Sequence, residues 1–466
     1  MEKRVVHPYI PNSVPEVRDE MLREIGVKDV EEIYDVIPER LRLKRPMDLP
    51  KPILAEHDLK KHMERILSVN VTCDEALCFL GGGCWPHHVP AVCDEIAGRA
   101  EFLTAYVGEG YSDLGKYHAF FEFQSQMGEL LEMDVVSLPT YDWASAAGNS
   151  IRMASRMTGR YEVLLPKTTS PGRLSVIRNF CQPEQMANHI KIRLLDYDPE
   201  TGHLDLEDLK RKISSKTAAV YMENPSYLGF IEPQGEEISA IAHDVGAESI
   251  VGVDPISLGV LTPPAEYGAD IACGDGQPLG IHMQYGGSLS GFIASRDEER
   301  YVSEYPSLLI SITNTEREGE WGFGECRYDR TSYESRENAK DWVGTASCLW
   351  AIAGSVYMAL MGPQGMRDIG ETIIQRSRYA MKLLSEIDGI SIPFSPNFGE
   401  FVASFDGTGK SVAEVNRALL DYNIFGGKDI TAEFPKLGSS ALYCVTEVHS
   451  WEDIEKLAGA LREVVA

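Results

Sequence analysis

DIACGDGQPLGIHMQYGG, residues 270–287, is the stretch on which the reading of the chain turns. It follows an apolar run ending in an acid, ESIVGVD (248–254), and its small residues and glycines suit a loop that lets a flat ligand approach the backbone. Where such a loop would offer a reactive amine, the chain has Gln277-Pro278. Residues 217–339 contain no lysine at all, whereas an even spread of the 18 lysines would put roughly five there. A covalent imine needs a primary amine, so this loop keeps the shape of a cofactor cradle without the attachment point.

Outward from that loop the pattern is alternation. YEVLLP, IKIRLLD, TAAVYME and ESIVGVD read as buried strands, and LEDLKRKI and GEEISAIAHDVG between them read as helices. Strands alternating with helices predict a mainly parallel sheet covered on both faces, with ligands gathering at the carboxyl ends of the strands. Asp254 falls there. An acid at that point either pairs with the pyridinium nitrogen of pyridoxal phosphate or opens a turn with Pro255. A helix starting near Tyr141-Asp142-Trp143-Ala144-Ser145 offers free N–H groups for a phosphate near Ser145, or simply packs closely on the sheet. Asn224, at the end of TAAVYME, faces the same crevice or forms an Asn-Pro turn.

The flanks differ in character. Ser13-Val14-Pro15-Glu16 has the form of a capping box ahead of a short amphipathic helix stopped by Gly26. VEEIYDVI is a second helix ending at Pro38, and RLRLKRPMDLPKP reads as extended. Residues 1–55 are therefore expected to form an arm, 56–340 a large α/β domain, and 341–466 a helix-rich segment leading into a smaller α+β domain. The 466 residues are 43% hydrophobic and 25% charged, and no window approaches the length of apolar sequence that a membrane span requires. The net charge of −27 argues against nucleic acid and anionic membranes as partners. The N-terminus lacks a signal-peptide pattern, and the nine cysteines form no paired framework, so a cytoplasmic protein with reduced thiols is expected. His87 and His88 follow Gly81-Gly82-Gly83. At most one of two adjacent histidines faces a site. No metal site is expected, and the Gly triplet lacks the setting of a dinucleotide fingerprint.

The segments FLGGGCWPHHVPAV (79–92), EFLTAY (101–106), YDWASAA (141–147), VDPISLGVLTPPAEYGADI (253–271), GQPLGI (276–281) and LYCVTEV (442–448) together resemble subunit 1, the alpha subunit, of glycine dehydrogenase (decarboxylating). This is the P-protein of the glycine cleavage system where it is split into two chains. The resemblance runs over nearly the whole chain and implies the fold type I architecture of pyridoxal-phosphate-dependent transferases, similar to aspartate aminotransferase. It further implies that the chain carries no catalytic residue and no covalent cofactor of its own. Pyridoxal phosphate is then held by a beta subunit (subunit 2) in an αβ pair that dimerises to (αβ)2. That enzyme releases carbon dioxide from glycine and passes the aminomethyl group to the lipoyl arm of H-protein. On this reading Asp254, Gln277, Ser145 and Asn224 are vestigial or interface positions, His87, His88 and Tyr106 substrate or interface candidates, and Glu122 is placed by resemblance only.

The chain also departs from the family pattern. VGEGYSDLG follows EFLTAY where a run resembling PYQPEISQG is usual. Trp143 replaces a glycine, Lys167-Thr168-Thr169-Ser170-Pro171 lacks a histidine before the proline, and Arg336 to Ser347 diverges from REKATSNICTNQ. These changes leave three readings open: a divergent alpha subunit, a paralogue recruited with its own beta partner to another amino acid or acceptor, and a non-catalytic scaffold subunit.

Overall fold

A computed structural model of the chain describes residues 6–7, 9–103, 114–181, 185, 188–284, 289–326, 340–344 and 346–466. These form two compact units, Met1–Val71 and Thr72–Ala466.

In the first unit the expected helix spans Pro15–Ile25 and ends at Gly26 in the left-handed region (φ 85°), as a glycine stop requires. The capping box does not form. The Ser13 hydroxyl is taken by the backbone N–H of His7 at 2.8 Å, and Val14, which has no side-chain oxygen, occupies the cap position instead. VEEIYDVI gives a single helical turn, Val30–Ile33, capped by Asp29 and continued by a 3₁₀ turn. The helix Glu56–Leu67 buries no residue of its own, leaving Leu59, Met63 and Ile66 exposed on one face.

The second unit is built on a seven-stranded sheet. After β1 (Leu77–Cys78), its strands are β2 (Val135–Val136), β3 (Glu162–Pro166), β4 (Lys191–Leu195), β5 (Thr217–Glu223), β6 (Glu248–Val253), β7 (Ile271–Asp275) and β8 (Gly291–Ser295). Their order is β2-β8-β7-β6-β5-β3-β4, parallel from β4 to β7 and antiparallel at β8 and β2. The four strands expected from sequence are β3 to β6. Every residue of β5 and β6 is buried, because helices cover both faces. Alternate residues serve opposite cores: Ala219 and Tyr221 pack on the side of the helix Trp143–Thr158, Val220 and Met222 on the side of the helix Gly235–Asp244.

A hairpin of β9 (Ile310–Asn314) and β10 (Trp321–Glu325) follows. The helix Cys348–Ser385 then bends at Gly362 (φ 59°, ψ −178°) ahead of Pro363. Its first half packs Ala351 and Tyr357 against the core of the large sheet, and its end packs Ala380 and Leu384 in a C-terminal lobe. That lobe holds β11 (Glu400–Ser404), β12 (Ile424–Phe425), β13 (Lys428–Asp429) and β14 (Ser440–Cys444), with β11, β13 and β14 in one antiparallel sheet backed by the helix Trp451–Val465. GISIPF contributes only a single bridge, Ser391 to Ser404. β1 pairs in parallel with β12, which ties the Gly81-Gly82-Gly83 loop into the C-terminal lobe.

Candidate functional site

The parallel strands β5, β6 and β7 deliver three carboxylates to one edge of the sheet: Glu223, Asp254 and Asp275. Asp254 accepts the backbone N–H of Ile256 at 2.9 Å and is deeply buried. Burial pushes its pKa up to about 6, against the opposing charge of His87. His87 turns inward, with Nδ1 2.8 Å from Glu447 Oε2, while the backbone N–H of the exposed His88 donates to the other oxygen of Glu447 at 2.8 Å. Burial alone would depress the His87 pKa, yet Glu447 and then Asp254 outweigh it and hold the imidazole above its ordinary value. Burial likewise works against ionisation of Glu447, but His87 and the His88 N–H hold its pKa below the ordinary carboxylate range.

The start of the helix Trp143–Thr158 is where a phosphate would sit, and the protein's own carboxylates take its donors. Asp142 Oδ1 accepts the Ser145 N–H at 2.7 Å, and Ser145 Oγ accepts the Asp142 N–H at 3.0 Å. Asp275 Oδ2 accepts the Trp143 N–H at 3.2 Å, while its Oδ1 accepts those of Gln277 (2.9 Å) and Ser290 (3.0 Å). The Gln277 side chain donates to the carbonyl of Ile281 at 2.8 Å.

Above the sheet lies the Trp143 indole, 4% exposed, with Nε1 donating to the Tyr221 hydroxyl at 3.1 Å. Arg173 stacks on it with Cζ 3.7 Å from the ring centroid and pairs with Glu223 Oε2 at 2.8 Å; Tyr221 donates to Glu223 Oε1 at 3.0 Å. Glu400, at the start of β11, accepts the N–H groups of Gly82 (2.5 Å) and Gly83 (3.4 Å), and burial pushes its pKa up to about 7. The space left among Trp85, His87, Trp143, Arg173, Asp254 and Glu400 is about 20 Å³, the room of one water. A pyridoxal ring does not fit the crevice as folded, its phosphate donors at Trp143 and Ser145 are already engaged, and no lysine lies on the loop.

Of the positions singled out from sequence, Asp254 and His87 line this crevice. Ser145 and Gln277 lie at its phosphate end, serving the helix cap and the Asp275 turn. Asn224 turns away: its amide donates to the Glu232 carbonyl at 3.3 Å and its oxygen accepts the Glu232 N–H at 3.1 Å. Glu122 is exposed and paired with His118 at 3.0 Å on its own helix. Tyr106 lies outside the described residues, as do residues 336–339 and 345 of the divergent segment. Arg173, Glu223, Asp275, Glu400 and Glu447 escaped the sequence reading. Each meets its partner across many residues, and the one local hint was the acid closing β5 and β7. Among the described residues no cluster of three or more His, Cys, Asp or Glu side chains is arranged to hold a metal ion, and no helix is long and apolar enough to cross a membrane. Six of the nine cysteines are buried, Cys78 and Cys84 are half-buried, and Cys73 is exposed.

Comparison with known proteins places this geometry in context. The family model described as glycine cleavage system P-protein matches residues 7–458. A protein of Staphylothermus marinus named probable glycine dehydrogenase (decarboxylating) subunit 1 is 40% identical over 468 residues, covering 98% of both chains. Its namesake from Saccharolobus islandicus is 36% identical over 463 residues, again covering 98% of both. Among solved structures, an inhibitor-bound glycine decarboxylase (P-protein) superposes with a TM-score of 0.85 at 33% identity, over 99% of this chain and 100% of that one. A sphingosine-1-phosphate lyase from Burkholderia pseudomallei, with a TM-score of 0.63 at 15% identity over 90% of this chain and 92% of its own, bears on the fold alone. The architecture is that of fold type I pyridoxal-phosphate-dependent enzymes.

Proposed function

The chain belongs to the glycine cleavage system P-protein family, and from that premise we propose that it is the alpha subunit of a two-chain glycine decarboxylase whose cofactor-bearing site is supplied by a beta subunit. The assembled pair, on this reading an (αβ)2 assembly in the cytoplasm, releases carbon dioxide from glycine and delivers the aminomethyl group to the lipoyl arm of H-protein. Pyridoxal phosphate supplies the electron withdrawal that decarboxylation needs, and in this enzyme it sits on the partner. The observation that carries the reading is the crevice itself. The fold and the acid at Asp254 are kept, but Gln277 stands on the loop and Trp143 and Arg173 fill the ring space.

The role left to this chain is to shape and support the partner. The unit Met1–Val71, including the expected arm at residues 1–55, exposes Tyr9, Val36, Leu43, Met47 and Leu54, and its helix Glu56–Leu67 leaves an apolar face uncovered. Apolar surface on that scale is what a stable subunit contact covers. The test is exchange of labelled bicarbonate into glycine by the purified pair, with and without H-protein, alongside light scattering for the stoichiometry. Exchange that needs both chains supports the proposal. No exchange with glycine but exchange with another amino acid would favour the recruited paralogue, the reading that the substitution at Trp143 and the loss of histidine before Pro171 favour. No exchange with any amino acid, from a well-formed pair, would leave the scaffold reading.

A further inference from the structure

Resting on the reading that pyridoxal phosphate belongs to the partner, we propose that Trp143, Arg173 and Asp275 form an internal plug that takes the places of a cofactor's ring and phosphate at the carboxyl edge of the sheet. The indole lies against the sheet above Gly252, where an added Cβ would come within 2.7 Å of Nε1 and 2.8 Å of the Tyr221 hydroxyl. The guanidinium covers a face of the indole, and Gly83 (φ 93°) lies so close to it that a Cβ there would meet Nη2 at 2.8 Å. Two glycines, one on the sheet and one on the loop, thus leave the thickness that a ring and a planar cation require. At the other end the Asp275 carboxylate bonds the Trp143 N–H, the position an anion takes at a helix start.

The plug also bridges the lobes. Arg173 is fixed to β5 through Glu223, and the loop it supports, Gly82-Gly83, donates to Glu400 on β11 of the C-terminal lobe.

The test uses the full chain alone, with pyridoxal phosphate as the probe. Wild type and Q277K are expected to take up no cofactor by absorbance or borohydride trapping, because the ring space is filled whether or not an amine is present. W143G/D275A/Q277K, which empties the ring space and the anion seat and supplies the amine, is expected to form a trappable adduct, with at least about tenfold tighter binding than Q277K. Stoichiometric uptake by wild type or Q277K would overturn the proposal, as would a folded W143G/D275A/Q277K that binds no better. A measurement on the wild type stands whether or not the variants fold: the Trp143 indole N–H is expected to exchange with solvent at least about a hundredfold more slowly than that of exposed Trp451. Equal rates would show an open crevice and end the proposal. None of these readouts involves glycine or a second chain, so their failure is distinct from failure of the bicarbonate exchange that tests the enzyme reading.

Discussion

Asp275 and Trp143 are joined across the carboxyl edge of the sheet, the aspartate closing β7 with its Oδ2 on the first backbone N–H of the helix that begins at the tryptophan, 3.2 Å away. A helix start is a natural anion seat. Here the anion is part of the chain. In D275N the side-chain oxygen can keep Gln277 and Ser290 only by turning the amide toward the Trp143 N–H, donor to donor. A loss of about 1–3 kcal/mol is expected in denaturant unfolding.

Removing Arg173 leaves Glu223, whose side chain is 1% exposed, as an uncompensated buried charge. R173M is expected to destabilise by about 3–5 kcal/mol, and adding E223Q to recover a substantial part of that, because the second change removes the stranded charge. A double-mutant cycle by urea unfolding measures the coupling. A cycle showing no coupling would mean that the ion pair contributes nothing beyond packing.

Asp254 gives a pH signature. Its folded pKa is raised from 3.8 to about 6, so between those values the folded state holds a proton that the unfolded chain releases. Stability from this group is therefore lost as pH rises through that window, by about 3 kcal/mol in all. Asn at this position is neutral throughout and can still accept the Ile256 N–H. The stability of D254N relative to wild type is thus expected to rise between pH 4 and pH 6 and level off above, measured by unfolding at fixed salt.

Glu447 and His87 make the opposite case for the acid. Glu447 is held below its ordinary 4.5 and His87 above its ordinary 6.5, so the pair stabilises the fold from about the ordinary glutamate pKa up to the raised pKa of His87, and less on either side. E447Q is expected to lower the His87 pKa by proton NMR, and to cost about 1–2 kcal/mol near pH 6 with less effect at pH 9. An unmoved His87 titration would mean that the imidazole is tuned elsewhere.

Gly252 tests the close packing under the indole. G252A places a methyl about 2.7 Å from Trp143 Nε1 in a fully buried strand and is expected to cost about 1–3 kcal/mol. The penalty should shrink in a W143F background, where the nearest atom is gone, and calorimetry of the four chains reads it directly.

The framework was legible in the sequence because apolar runs such as TAAVYME and ESIVGVD are long and bounded by clear helix signals. Asp254 was legible too, being local to its strand. The crevice was not. Arg173 sits in an unremarkable PGRLS segment, and its meaning comes from Glu223, Trp143 and Gly83, which only the crossover topology brings to one point. The helix start near Ser145 reads from sequence as either an anion seat or close packing, and what decides its Trp143 N–H is a carboxylate more than a hundred residues away at Asp275. At Ser13 the motif was right in letter and unused in fact, since Ser13 lies in the turn Pro11–Ser13 ahead of the cap position and its hydroxyl bonds His7.

The bend at Gly362 bears on how the second lobe came to be placed. With φ 59° and ψ −178°, that residue occupies a region of backbone space open in practice to glycine alone. Any side chain there would have to leave that conformation for the extended backbone that Pro363 imposes on its predecessor, swinging everything downstream as a lever swings about its fulcrum. The angle between the lobes is thereby entrusted to one missing carbon.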